Sequence, residues 1–139
     1  MQLVREEPGR RTRGYFVLVG AVALIAGFSV VSNLQPALEH SVAAATRTIL
    51  GMLGLGAAAL MWTRPAQGRQ LGILWALLQI PFVAVGFDGG FTAQSLSLPL
   101  ALTFSHVEAG RSVVSAFGIN LVGVIFAVWL SIRRDLFED

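Results

Sequence analysis

The sequence predicts an all-α polytopic membrane protein: a bundle of four transmembrane helices, with an interfacial or re-entrant segment between helices 3 and 4. Three observations predict this fold. Apolar residues make up 55% of the chain and charged residues 13%, about half of the roughly 25% charged content of soluble proteins. Four apolar segments approach the length of about 17–25 residues that spans a bilayer. Most arginines lie at the ends of these segments.

The 139 residues are enough for a single membrane domain, residues 1–139. Its predicted helices cover about residues 15–34, 42–62, 71–87 and 112–132. We interpret them as helices because a helix satisfies its backbone polar groups within one segment in lipid. The first segment could instead be a signal peptide, since an arginine-rich start precedes its apolar stretch; we favour a retained helix.

The arginines predict the orientation. All ten basic residues are arginine, and eight of them fall on one side of the predicted bundle. By the positive-inside rule this side is cytoplasmic, which places both termini in the cytoplasm and the protein in a prokaryotic inner (plasma) membrane. The eight are Arg5, Arg10, Arg11, Arg13, Arg64, Arg69, Arg133 and Arg134.

The predicted interfacial or re-entrant segment is the link between helices 3 and 4, residues 88–111. It contains an apolar run from Leu96 to Phe104, which is too short to span a bilayer. Pro99 would also break a regular helix through it. We therefore expect this run to lie over the outer mouth of the bundle.

Composition excludes several kinds of chemistry. The chain has no cysteine, which excludes disulfides, thiol catalysis and cysteine-ligated metals. Two histidines are too few for an all-histidine metal site, and no nucleotide-binding or metalloenzyme motif is present. The pI near 10.4 does not indicate a nucleic-acid partner, because the arginines flank apolar segments. No catalytic residue, metal or cofactor is predicted, although bound lipid or quinone is possible.

Arg47 is the most informative single residue. It lies about five residues inside the second helix, on the face that carries Gly51 and Gly54, so we expect it to point into the bundle. An arginine at that depth needs a partner. The outer polar cluster predicted around it consists of Asp88 as first choice, Glu108, Glu39, His40 and His106. We favour a structural ion pair over an anion or lipid-headgroup site.

Gln79 and Asn120 form a predicted intramembrane polar pair. Each lies about eight residues below the outer end of its helix, so antiparallel packing would place both about 12 Å deep. Their amides could hydrogen-bond to each other or contact a quinone or another small ligand. Pro81, two residues after Gln79, predicts a kink in the third helix.

One stretch resembles a known family. Residues 50–66, Leu-Gly-Met-Leu-Gly-Leu-Gly-Ala-Ala-Ala-Leu-Met-Trp-Thr-Arg-Pro-Ala, look like the second helix and following turn of DoxX-like integral membrane proteins. The chain length and the four-helix plan are similar too. The acidic residue often found early in that family's second helix has no counterpart here. The resemblance implies a four-helix fold and carries over no site residue.

These observations favour a non-catalytic small subunit or accessory protein of a larger integral membrane complex. The first alternative is a DoxX-like membrane protein, or membrane enzyme component, that binds a lipid or quinone through the outer polar cluster. The second alternative is a small oligomeric transporter, which the absence of an obvious inverted repeat makes less attractive. The expected partners are membrane lipids and other membrane subunits or further copies of the chain.

Overall fold

The computed structural model describes residues 13–39, 41–87, 91–92, 98–108 and 111–137, with the backbone alone at 84–87, 91–92, 108 and 111–112. The described residues are mostly helical and form four α-helices, which confirms the helical part of the predicted fold. An antiparallel sheet continues the helical unit, so the chain is not all-α. The elements in chain order are helices α1 (Arg13–Leu38), α2 (Val42–Thr63) and α3 (Pro65–Leu78), strands β1 (Pro81–Phe87), β2 (Phe91–Thr92), β3 (Pro99–Glu108) and β4 (Arg111–Asn120), helix α4 (Leu121–Ile132) and a 3-10 turn at Arg134–Leu136.

The first two predicted helices are present as α1 and α2. In the part of the chain that the structure describes, these two helices have the length and hydropathy needed to cross a membrane. The Ser41 hydroxyl caps α2 by accepting a hydrogen bond from the Ala44 N–H at 3.3 Å. The buried Tyr15 hydroxyl donates to the Met61 carbonyl, which joins the start of α1 to the end of α2.

The third predicted helix, residues 71–87, is wrong in its second half. Helix α3 ends at Leu78 after 14 residues, so it is about 21 Å long and cannot span a core of about 30 Å alone. Pro81 has no N–H to donate within a helix. The residues after it, Phe82, Val83 and Val85, belong to the aromatic and β-branched types that favour strands.

The fourth predicted helix, residues 112–132, is wrong in its first half. Residues 111–120 form β4, and α4 has 12 residues, or about 18 Å. A short apolar run does not distinguish helix from strand by periodicity alone, and Val113, Val114, Phe117 and Ile119 favour a strand.

The four strands form one antiparallel sheet in the order β2-β1-β4-β3. Strand β1 opposes β4 from Pro81↔Ile119 to Phe87↔Val113. Because β1 follows α3 and β4 precedes α4, the packed helix pair α3–α4 continues directly as a strand pair. The predicted interfacial segment is a regular strand over Pro99–Glu108, paired with β4 along its whole length.

The apolar core lies between the helices, and small residues let their backbones approach closely. A Cβ atom on Gly54 would lie 2.6 Å from Trp75 Nε1, and one on Gly123 would lie 2.9 Å from the Ala76 carbonyl oxygen. Helices α2 and α3 approach each other most closely near the turn that joins them, since a Cβ atom on Gly68 would lie 2.0 Å from the Met61 nitrogen. The largest fully buried side chains are Trp75, Tyr15, Leu18, Met61, Leu130, Val22 and Asn120.

Candidate functional site

Asn120 organises the junction where the helix pair becomes the sheet. Its side chain is fully buried, and its Oδ1 atom accepts hydrogen bonds from the backbone N–H groups of Leu98 at 3.0 Å and Val122 at 3.1 Å. Its own N–H donates to the Ile80 carbonyl at 2.7 Å. One side chain therefore caps α4 and holds the start of β3, while its backbone joins β4 to the end of α3.

Gln79 lies at the same junction. It is the C-cap of α3, its N–H donates to the Ala76 carbonyl at 3.1 Å, and 6% of the residue is exposed. A Cβ atom on Gly123 would come within 3.0 Å of the Gln79 carbonyl carbon, so the end of α3 and the start of α4 touch here. Gln79 and Asn120 therefore flank a helix–strand boundary and do not lie inside two long helices. The hydrogen bond between their amides stays a prediction.

Arg47 belongs to a polar network between α1 and α2. Its Nη1 donates to Asn33 Oδ1 at 3.4 Å, Asn33 Nδ2 donates to the Ser29 carbonyl at 2.8 Å, and the Ser29 hydroxyl donates to the Arg47 carbonyl at 2.9 Å. Ser29 and Asn33 are buried, and Arg47 is half-buried beside the Gly51 face. Neither Ser29 nor Asn33 was predicted as a partner of Arg47 from the sequence. Their spacing of four residues in an apolar helix was the signal that could have found them.

The rest of the predicted outer cluster is only partly described. His40 and Asp88 lie outside the described residues, and Glu108 is described by its backbone, opposite Arg111 at the end of β3. Glu39 is exposed and accepts a hydrogen bond from Gln35 Nε2 at 3.2 Å. His106 is exposed on β3, opposite Val113. The ion pair of Arg47 with Asp88 or Glu108 stays a prediction.

The sheet carries an exposed apolar surface that the sequence analysis did not predict. We call it the sheet face. Leu100 lies opposite Ile119 and Leu102 opposite Phe117, so these side chains point to the same side of the sheet. Their exposures range from 40% at Ile119 to 71% at Leu102, and Phe104 on the same side is 62% exposed. The alternation Leu-Ala-Leu-Thr-Phe from Leu100 to Phe104 is the period of two that indicates a strand with one apolar face.

Strand β3 is also the end of the sheet. One of its edges pairs with β4 over ten residues, from Pro99 to Glu108. Among the strands of the described residues, none pairs with its other edge. Such an edge is a template for a further strand.

The opposite end of the α3–α4 pair is rich in arginine. Arg69 Nε donates to the Leu130 carbonyl at 2.7 Å, and its Nη2 donates to the Ser131 carbonyl at 3.1 Å. These carbonyls belong to the last turn of α4, so Arg69 caps that helix and fastens it to α3. Arg69, Gln70 and Arg134 line a pocket of about 280 Å³ at this end.

The described side chains contain no group of three or more histidines, aspartates or glutamates that could hold a metal ion. The polar groups seen at the junction and in the Arg47 network join structural elements to one another. The resemblance to DoxX-like proteins stays a prediction. No family model matches this chain, and no curated protein or solved structure matches it either.

Proposed function

We propose that this chain is a non-catalytic subunit of a larger integral membrane assembly, and that a strand of another subunit covers its β3 edge. The surface of the two long helices supports the membrane part. Every exposed residue of α1 between Phe16 and Val31 is apolar, as is every exposed residue of α2 between Val42 and Trp62. Exposing such an apolar surface to water costs a free energy of about 25 cal/mol per Å², and contact with lipid avoids that cost. The largest exposures are Val31 at 81%, Leu24 at 76%, Val42 at 76% and Ile49 at 66%.

The helix lengths support a position within the bilayer for the end of the sheet that adjoins α3 and α4. Helix α2 has 22 residues, about 33 Å, which matches a hydrocarbon core of about 30 Å. One residue, Arg64, separates α2 from α3, which runs back for 14 residues, about 21 Å. The strands then begin roughly 9 Å short of the far surface, a distance that about three strand residues cover. Leu100, Leu102, Phe117 and Ile119 all lie within three residues of the junction at Asn120.

The observation that carries the proposal is the outer edge of β3, with which no strand of the described residues pairs. Lipid has no hydrogen-bonding group, so each backbone N–H or C=O left unpaired in it costs several kcal/mol. The first residues of β3 therefore need protein cover on their outer edge. A strand from a neighbouring subunit supplies the missing hydrogen bonds, and its side chains cover the sheet face. The role that follows is assembly, with the Arg47 network and Asn120 keeping the subunit rigid.

Membrane crossing is tested by cysteine labelling. The chain has no cysteine of its own, so Gln67→Cys and Ser105→Cys each give one reactive site at an exposed position. The two should react with an impermeant maleimide from opposite sides of sealed vesicles. Labelling of both from the same side would overturn the membrane part of the proposal.

The assembly role is tested by photo-cross-linking from the native membrane. A photoreactive amino acid at Thr103, which is exposed on β3, should give an adduct with one larger membrane protein at equal stoichiometry. The same group at Leu24, exposed on α1, serves as the matched control and should give lipid adducts. An adduct between two copies of the chain would replace the heteromeric assembly by a homo-oligomer. Protein adducts from Leu24 alone would overturn the assignment of the β3 edge.

Introducing a charge on the sheet face tests whether this surface belongs to the partner interface. Leu102→Glu should release the partner in mild detergent, because the carboxylate would be buried against an apolar surface. Gln67→Glu is the control, since Gln67 is exposed in the first turn of α3, at the end of that helix far from the sheet. Equal retention of the partner by both variants would show that the sheet face lies outside the interface.

A further inference from the structure

An apolar groove runs along the outer side of the contact between α3 and α4. Its volume is about 440 Å³, and seven of its eight lining residues are apolar. Ile73 and Leu77 line it from α3, and Val124 and Val128 line it from α4. In a membrane this groove faces lipid, so its shape and chemistry suit a hydrocarbon chain.

The groove adjoins the arginine pocket. Ala66, Gln70, Ile73 and Leu77 are spaced by four, three and four residues, so they form one stripe on α3 that lines first the arginine pocket and then the groove. Ser131 lines the groove, and its carbonyl accepts a hydrogen bond from Arg69, which lines the pocket. The two cavities are therefore successive parts of one surface, polar at the end of the helices and apolar towards their middle.

The length of this surface matches one leaflet of a bilayer. From Arg69 to Ile80, the last groove residue, the chain advances eleven residues, or about 16 Å at helical rise. One leaflet contributes about half of a hydrocarbon core of about 30 Å. A phosphate at Arg69 therefore places an acyl chain along the whole groove without leaving the leaflet.

The charge of the pocket favours an anion. The Arg69 guanidinium is fixed by two backbone carbonyls, Leu130 and Ser131. These partners hold its position without cancelling its positive charge, and Arg134 lines the same pocket. Planar guanidinium groups bind phosphate oxygens well, and Gln70 adds an amide donor. Anionic lipids are concentrated in the cytoplasmic leaflet, to which the arginine distribution assigns this end.

We propose that the α3–α4 surface binds one anionic phospholipid, with its phosphate at Arg69 and Arg134 and one acyl chain in the groove. This site rests on the proposed membrane location. A lipid at this position fills the groove on the outer surface of α3 and α4, where these two short helices face the surrounding bilayer. The proposed β3 interface lies at the other end of the same helices, so lipid and partner protein can bind together.

The test uses native mass spectrometry of the full chain released from nanodiscs that hold equal amounts of phosphatidylglycerol and phosphatidylcholine. One phosphatidylglycerol should remain bound, in at least about fivefold excess over phosphatidylcholine, since a basic residue near anionic lipid contributes about that factor. Equal retention of the two lipids would overturn the proposal. Soluble glycerol 3-phosphate should not displace the lipid, and displacement by it would identify a site for free phosphate instead.

Two matched pairs of variants locate the site. Arg134→Gln should lower the phosphatidylglycerol preference by about fivefold, whereas the change Arg133→Gln at the neighbouring position, which does not line the pocket, should leave it unchanged. Val128→Trp should fill the groove and expel the lipid. Ile125→Trp places the same bulk on α4 at a residue that is 56% exposed and outside the groove, and it should retain the lipid. Equal effects within either pair would overturn the assignment.

The labelling of Gln67→Cys and Ser105→Cys keeps the two proposals separable. If these cysteines label from opposite sides and phosphatidylglycerol is not preferred, the lipid site is wrong and the membrane location stands. If they label from the same side, both proposals are wrong. Cross-linking from Thr103 reports on the β3 interface alone.

Discussion

The side-chain carbonyl oxygen of Asn120 accepts a hydrogen bond from the backbone N–H of Leu98 at 3.0 Å, across the boundary between helix and sheet. The same atom caps α4 through the N–H of Val122 at 3.1 Å. The two residues are 22 positions apart in the chain, so this contact fixes where β3 begins relative to α4. It makes Asn120 the residue on which the junction depends most.

Asn120→Ala should lower the free energy of unfolding by about 2–3 kcal/mol, because it removes a helix cap and leaves the Leu98 N–H without its acceptor. Thermal unfolding in detergent, followed by circular dichroism, measures this change. Thr46→Ala is the control, since its exposed hydroxyl donates to the Val42 carbonyl within α2. It should change the stability by less than about 0.5 kcal/mol. Similar losses for both variants would contradict the role given to Asn120.

Gly68→Ala should destabilise the protein by about 1–3 kcal/mol, because the new methyl group would overlap the backbone of α2 at Met61, 2.0 Å away. The matched control is Gly56→Ala, where a Cβ atom would meet nothing within 4 Å. That change should stabilise the protein by about 0.5–1 kcal/mol through helix propensity. Unfolding midpoints of the two variants under identical conditions should therefore move in opposite directions. A stabilising Gly68→Ala would show that α2 and α3 are farther apart.

Arg47 and Asn33 should be energetically coupled. A double-mutant cycle with Arg47→Leu and Asn33→Leu should give a coupling free energy of about 0.5–1.5 kcal/mol, since each single change removes the hydrogen bond between the two side chains. Arg47→Lys should restore little of the loss, because an ammonium group lacks the planar donors of guanidinium. Additive effects in the cycle would show that the 3.4 Å contact between the two residues contributes nothing.

The strand register of β3 and β4 should allow a specific disulfide. Phe104 and Ser115 lie directly opposite each other, and opposed residues have Cα atoms about 4.5–5.5 Å apart, within the range that a disulfide bridges. Phe104→Cys with Ser115→Cys should therefore cross-link on mild oxidation, as gel mobility shows. The control pair Phe104→Cys with Ala116→Cys places the sulfurs on opposite sides of the sheet and should not. Cross-linking of the control alone would require a different register.

Local sequence determined the two long helices. Helices α1 and α2 have 26 and 22 residues and are predominantly apolar, and an apolar helix of that length can cross a bilayer with its backbone polar groups satisfied. The position of Arg47 beside Gly51 also followed from helical spacing. Its partner Asn33 did not, because Arg47 could reach several polar residues and only the packing of α1 against α2 selects one.

Tertiary structure decided the second half of the chain. Residues 79–87 and 111–120 are each apolar enough for a helix and rich enough in valine and phenylalanine for a strand, so local preference alone does not choose. A strand is stable only when another strand satisfies its backbone, and the partner of β1 is distant in sequence, with Pro81 opposite Ile119. Pairing of β1, β3 and β4, with the Asn120 side chain closing their base, supplies those hydrogen bonds. Helix propensity depends on residues a few positions apart. Strand pairing depends on which segments of the chain meet, and the folded chain decides that.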